Sequence, residues 1–194
     1  MSGSFDKSVR VWDASTGEAL KELRGHTGIV KSVAFSNDGT WIVSSSEDNS
    51  VWMWDASTGV VLKELKGHTD SVNSVAVSSD STLIVSGSSD KSVRVWDAST
   101  GVELKELKGH TGSVNSVAFS SDCMKIVSGS YDRSVRVWDA STGRELKKLG
   151  HNVSSVAVSY DGTQIVTGSF DQSVWLWESV GCINRCGVEK TESH

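Results

Sequence analysis

No stretch of the 194-residue chain approaches the roughly eighteen consecutive apolar residues of a membrane-spanning helix. The first residues, Met1-Ser2-Gly3-Ser4-Phe5-Asp6, lack the basic and apolar regions of a secretory leader. Cysteine is scarce: Cys123, Cys182 and Cys186 are an odd set with no regular framework, which points to free thiols in a reducing compartment. These absences lead us to expect a cytoplasmic protein without a membrane partner. A basic excess is also lacking, with 19 Lys and Arg against 24 Asp and Glu for a net charge of −5. Lysines recur singly beside glutamates instead of clustering, so no nucleic-acid partner is expected. There is no Gly-x4-Gly-Lys-Ser/Thr for nucleotide phosphates. Cys182-x3-Cys186 has no second Cys or His pair nearby to complete four metal ligands, so neither a metal nor another cofactor is expected.

What the chain has in abundance is itself. Ala-Ser-Thr-Gly begins at Ala14, Ala56, Ala98 and Ala140, each step being 42 residues. The repeat divides residues 1–178 into an N-terminal partial unit, 1–13, and units 14–55, 56–97, 98–139 and 140–178, the last three residues shorter; residues 179–194 form a divergent tail. Within one unit, Val72 to Val77 is a β-type run closed by the turn cluster Ser78-Ser79-Asp80-Ser81. Leu83 to Ser88, Val93 to Trp96 and Glu103 to Leu107 follow, separated by turns around Asp90 and at Ala98 to Gly101. Four short strands with such brief connections permit only antiparallel neighbours, because a parallel return needs a long crossover. We letter them A to D in chain order.

Each unit carries Gly-His near one end (Gly25-His26, Gly67-His68, Gly109-His110, Gly150-His151) and Trp-Asp near the other (Trp12-Asp13, Trp54-Asp55, Trp96-Asp97, Trp138-Asp139, then Trp177-Glu178). The pattern resembles the WD40 family over residues 2 to 178. That resemblance implies an all-β fold, a β-propeller of four-stranded antiparallel blades packed radially around a channel, with four blades per chain. It also implies a His, Ser or Thr, Asp and Trp network in each blade, here Ser44, Asp48 and Trp54; Ser86, Asp90 and Trp96; Ser128, Asp132 and Trp138; Thr167, Asp171 and Trp177. Ser, His and Asp are also the residue types of a hydrolase triad, but a triad occupies one cleft with an oxyanion hole. This set recurs in every unit with an indole attached, as a buried structural network would. His26, His68, His110 and His151 fall in four different blades and cannot share one ion. We therefore expect no enzyme.

The chain opens mid-unit, Ser2 to Lys7 matching the end of strand B and its turn, Val9 to Asp13 strand C, and Leu20 to Leu23 strand D. Beyond Glu178 the repeat dissolves, leaving the last blade without a convincing strand D. Propellers of this family resemble circles in which a strand from the N-terminus completes the last blade, so the two ends are expected to share one composite blade. A blade of a seven- or eight-bladed ring subtends roughly 45 to 50 degrees, so four cover about half a circle. We expect a homodimer in which two chains close one eight-bladed ring, each N-terminal strand D completing the partner's last blade.

If the constant residues build blades, the differing ones are where recognition can reside. The residue before the turn aspartate is Phe5, Glu47, Ser89, Tyr131 and Phe170. Two slots near the start of strand A read Ile29, Ser71 and Ser113, and Lys31, Asn73 and Asn115, with Asn152 and Ser154 the nearest equivalents in the short unit. The family resemblance places such positions around a channel mouth where partners dock, and aromatics there would suit a protein partner. Trp41, Trp52 and Trp175 are weaker candidates, the last two standing where other units have Arg in strand C. The expected function is a non-catalytic protein-interaction scaffold or sensor module. A carbohydrate-binding, lectin-like propeller stacking sugars on Trp, Tyr and Phe, and a consensus-like or engineered repeat protein without a natural ligand, stand as alternatives.

Overall fold

The computed structural model describes residues 1–150, 153–169 and 172–178, together with the backbone of Asn184–Cys186. These described residues form nineteen strands in five antiparallel sheets, each a simple meander. The first sheet has three strands: β1 (Ser2–Gly3), β2 (Ser8–Trp12) and β3 (Ala19–Arg24). In the second, β4 (Val30–Phe35), β5 (Trp41–Ser46), β6 (Ser50–Asp55) and β7 (Val61–Lys66) are strands A to D. The third holds β8 (Val72–Val77), β9 (Leu83–Ser88), β10 (Val93–Asp97) and β11 (Glu103–Leu107). The fourth holds β12 (Val114–Phe119), β13 (Lys125–Ser130), β14 (Ser134–Asp139) and β15 (Glu145–Gly150). The fifth holds β16 (Ser155–Val158), β17 (Gln164–Gly168), β18 (Val174–Glu178) and β19 (Asn184–Cys186).

The chain's two ends depart from the sequence expectation. β2 pairs with both β1 and β3, so the N-terminal strands form a sheet of their own and not part of a composite with the last unit. The D position beside β18, expected to be vacant in the chain itself, is taken by β19, with Val174 opposite Cys186 and Leu176 opposite Asn184. Antiparallel pairing needs only backbone donors and acceptors, so a segment without the repeat's side chains satisfies it.

The core lies between the sheets, not inside any one of them. Strand B reads Ile-Val in the internal units because its two faces are both covered. Ile42 packs backward with Val9 and Leu23 of the first sheet, while Val43 packs forward with Val72, Val75 and Ile84 of the third. The same division sends Ile84 back and Val85 forward to Val114, Val117 and Ile126. Strand A is the inner partner in these junctions. Small residues let it approach: a Cβ at Gly87 would lie 2.6 Å from Val114 Cγ1 of the next sheet. Polar rungs add to the packing, Ser74 Oγ accepting from Val117 N at 3.1 Å and Ser116 Oγ from Val156 N at 3.1 Å.

The turns explain the Asp-Ala-Ser-Thr-Gly repeat. Asp55 Oδ1 accepts from Ser57 N at 3.0 Å and Thr58 N at 2.7 Å, and Gly59 closes the loop at φ 77°, a left-handed conformation that a side chain disfavours. Hydrogen bonds from the Ser57 hydroxyl and Thr58 amide hold the Asp55 carboxyl at about 2. Asp13, Asp97 and Asp139 repeat this turn, so the aspartate of Trp-Asp shapes the link between strands C and D. Asp38, Asp80 and Asp122 serve the A–B turns in the same way. Ala56 N donates to Thr40 O at 3.0 Å, placing both sets of turns at one end of the sheets.

Candidate functional site

In the second, third and fourth sheets, the Gly-His segment, strand B, the B–C turn and strand C converge on one buried network. Trp54 Nε1 donates to Ser44 Oγ at 2.8 Å, and Ser44 Oγ lies 2.8 Å from His26 Nε2. His26 Nδ1 lies 2.8 Å from Asp48 Oδ2, which also accepts from Thr27 N at 2.9 Å. The ends fix the protons: an indole N–H only donates and an ionised carboxylate only accepts. The Ser44 hydroxyl must therefore donate to Nε2, and Nδ1–H to Asp48. The third sheet repeats the set through Trp96, Ser86, His68 and Asp90, and the fourth through Trp138, Ser128, His110 and Asp132. In the fifth sheet Trp177 Nε1 donates to Thr167 Oγ1 at 3.1 Å, while His151 and Asp171 lie outside the described residues.

Burial pushes the His26 and His110 imidazoles below their usual range, against the pull of the neighbouring carboxylates. Burial raises the Asp132 carboxyl, but hydrogen bonds from Ser134, Thr111 and His110 outweigh it and hold it at about 2. In the second and fourth sheets the network is thus a neutral imidazole on an ionised aspartate, sealed from water. Ser44, Ser86 and Ser128 are fully buried, each with its proton committed to His and a lone pair to Trp, so none is placed to attack a substrate. Among the described residues no group of three His, Cys, Asp or Glu is arranged to hold a metal ion. Cys182 lies outside the described residues, as does the side chain of Cys186. No helix of the chain is long and apolar enough to cross a membrane among the described residues.

The variable slots are brought together at the end opposite the Asp-Ala-Ser-Thr-Gly turns. Glu47 N donates to Ile29 O, Ser89 N to Ser71 O and Tyr131 N to Ser113 O, each at 2.9 Å, so the slot before the turn aspartate abuts the slot before strand A. Phe5 and Tyr131 are 81% and 57% exposed, Glu47 is exposed and Ser89 half-buried. Ile29, Ser71 and Ser113 are half-buried, as is Ser154, whose N donates to Gly168 O at 2.8 Å within the fifth sheet. Asn152 and Phe170 lie outside the described residues.

The slot of Lys31, Asn73 and Asn115 is a β-bulge: the register of strand A against strand B slips between Val30 and Ser32, Val72 and Ser74, and Val114 and Ser116. A bulge re-aims the extra residue. Lys31 Nζ pairs with Glu47 Oε1 at 2.6 Å, whereas Asn73 Nδ2 donates to Ser89 Oγ at 3.0 Å and to Val114 O of the next sheet at 3.0 Å. Asn115 bridges likewise to Val153 O at 3.2 Å, so these amides also fasten neighbouring sheets.

The tryptophans divide differently. Trp41 packs between the second and third sheets. Trp52 packs against the junction of the first and second sheets and also lies over its own blade's network, 5.0 Å from the His26 ring and 5.2 Å from Trp54, above Gly25. In the other internal sheets Arg94 and Arg136 hold that place and pair with Glu103 and Glu145. Trp175 stacks on Trp177 at 6.1 Å. Unnoticed in the sequence were Lys7, Lys91 and Arg133, which follow the turn aspartates Asp6, Asp90 and Asp132 and lie exposed at this same end with φ of 70°, 72° and 62°. Their signal was a fixed offset of two from the variable slot.

Comparison with known proteins agrees with this architecture. A 46-residue stretch is 46% identical to "Nuclear distribution protein PAC1" of Arthroderma benhamiae, covering 24% of this chain and 10% of that protein. A 37-residue stretch is 43% identical to "Dynein assembly factor with WD repeat domains 1" of Mus musculus, covering 19% and 9%. The likeness thus spans about a tenth of each relative, the length of one repeat. The family model "WD domain, G-beta repeat" matches four times in succession, at residues 17–55, 59–97, 101–139 and 143–178. With the strand order and the buried networks, these matches establish that the chain belongs to the WD40 repeat family.

Proposed function

We propose that this chain is a non-catalytic protein-interaction scaffold whose docking surface is the end of the sheets that carries Phe5, Glu47, Ser89 and Tyr131, with Phe170 in the same repeat slot. One observation carries the reading: the repeated His, Ser, Asp and Trp are consumed by networks and turns, while the two variable slots before the B–C turn aspartate and before strand A lie together at one end, paired slot against slot. Exposed aromatic side chains on a rigid β-scaffold are suited to anchor a partner. The buried indoles Trp54, Trp96 and Trp138 are unavailable as stacking platforms for sugars. The test is selection of binders from a displayed peptide library. Variants Phe5→Ala, Tyr131→Ala and Phe170→Ala should lose them while Ser79→Ala, at the opposite end, keeps them. Equal binding by all variants would remove the site assignment.

We further propose that two copies assemble into one ring, eight-bladed if each seam merges terminal sheets. Supporting this, Trp12 is 39% exposed and Val174 43%, whereas their repeat counterparts Trp54 and Val135 are buried between sheets. Light scattering should give a dimer; a stable monomer at micromolar concentration would overturn it. We place the protein in the cytoplasm, where Cys123, free in the structure, would stay reduced.

A further inference from the structure

The docking end carries a charge pattern that points to the chemistry of its partner. Most cations there are already engaged: Arg24, Lys66 and Lys108 pair with glutamates of their own strand D at 2.7, 3.1 and 2.9 Å, and Lys31 pairs with Glu47. Lys7, Lys91 and Arg133 are exposed and have no ion-pair partner among the described residues. Against them stand Asp70, exposed, with its carboxylate bonded only to Ser71 N at 2.7 Å, and the turn aspartates Asp6, Asp90 and Asp132, which are engaged by Arg10, His68 and His110. The aspartates of the A–B and C–D turns lie at the other end, away from these three cations.

The backbone sharpens the point. All three cations occupy a left-handed position that favours Gly or Asn, and Asn49 fills the same place in the second sheet at φ 70°. The turn therefore does not require Lys or Arg; their common property here is an unpaired positive charge beside a variable slot. Phe5 and Tyr131 each stand two residues before one of these cations.

We propose that this end recognises an extended acidic peptide segment bearing apolar side chains. Lys7, Lys91 and Arg133 take its carboxylates, and Phe5 and Tyr131 its apolar groups. The inference rests on the docking reading above and adds the class of partner. Charge complementarity of this kind selects partners and speeds encounter. Three isolated cations on an acidic chain are fewer than the continuous basic track that a nucleic-acid backbone requires.

The test is fluorescence anisotropy with a labelled Glu-Phe-Glu-Leu repeat peptide, its Lys-Phe-Lys-Leu counterpart and a labelled single-stranded DNA. The protein is compared with the triple variant Lys7→Asn, Lys91→Asn, Arg133→Asn, which the Asn49 precedent makes safe for the fold. The acidic peptide should bind, weaken with added salt, and lose roughly ten-fold in affinity on the triple variant. Equal binding of the acidic peptide to both proteins would overturn the inference. Preference for the basic peptide, sensitive to Phe5→Ala and Tyr131→Ala, would overturn it and leave the docking reading standing. DNA binding tighter than the acidic peptide and lost on the triple variant would reassign the cations to phosphate. Failure of every probe, together with library binders indifferent to Phe5 and Tyr131, would sink both readings.

Discussion

The first sheet and the three sheets after it hold the same Ser, Asp and Trp at the same 42-residue offsets, yet they are physically different objects. Trp12 donates to Ser2 Oγ at 3.0 Å much as Trp54 does to Ser44, but Trp12 is 39% exposed and Trp54 1%. Asp6, the repeat counterpart of Asp48, bonds Ser8 and Arg10, whereas Asp48 bonds His26 and Ser50. The motif alone therefore does not make the network. A sheet on either side and the His from the preceding segment do, because the same hydrogen bonds count for far more when water is excluded.

The largest test of that difference is to remove the indoles. Trp96→Ala should cost about 3 to 5 kcal/mol, and Trp12→Ala less than about 1.5 kcal/mol, in equilibrium denaturation. Comparable losses would erase the distinction between the two regions. Next in size, Ser86→Ala orphans both the Trp96 N–H and His68 Nε2, at a cost of about 1 to 3 kcal/mol, while Ser2→Ala should be nearly silent.

Acid should separate the regions as well. His26 and His110 have folded values pushed below the ordinary 6.5 by burial, so the unfolded chain protonates first. Their contribution is complete above about 6.5 and is lost as pH falls through the depressed folded values. Thermal midpoints should hold steady above that pH and drop below it, with amide exchange of the second and fourth sheets accelerating before the lower carboxylate range is reached. A flat profile down to about pH 5 would contradict the neutral-imidazole assignment. The smallest effect concerns the A–B turns, where Gly39 and Gly162 are left-handed but Ser81 and Cys123 stand in the same slot at φ 59° and 58°. Ser81→Gly should raise stability by about 1 kcal/mol, and no gain would show that the strain is absorbed elsewhere.

Most of the fold was legible because the repeat compares the chain with itself. Strands A to D of the third sheet begin and end within a residue of their expected bounds, since turn clusters and alternation coincide. The networks were legible because their members keep fixed spacing. The bulge at Lys31, Asn73 and Asn115 was not, because register is a relation between two strands and leaves no mark in either. Nor was β19, whose pairing uses backbone alone, nor the placement of Trp52 over His26, which depends on the missing Cβ of Gly25. The clustering of the variable slots followed from the meander once its turns were known. The unpaired state of Lys7, Lys91 and Arg133 needed coordinates, because only they show which other cations are spoken for.

Asn73 reaching to Val114 O and Asn115 to Val153 O are one bond written twice, as are the seryl rungs from Ser74 and Ser116. The seams on either side of the fourth sheet are thus interchangeable, like links of a chain cut from one die. The 42-residue link Ala98 to Asp139 can therefore be copied or excised in the gene while the surviving seam keeps an Asn amide and a seryl rung of the kind already present. Length is then the property most easily altered in this protein, and each added link would bring its own outward-facing residue to the docking end.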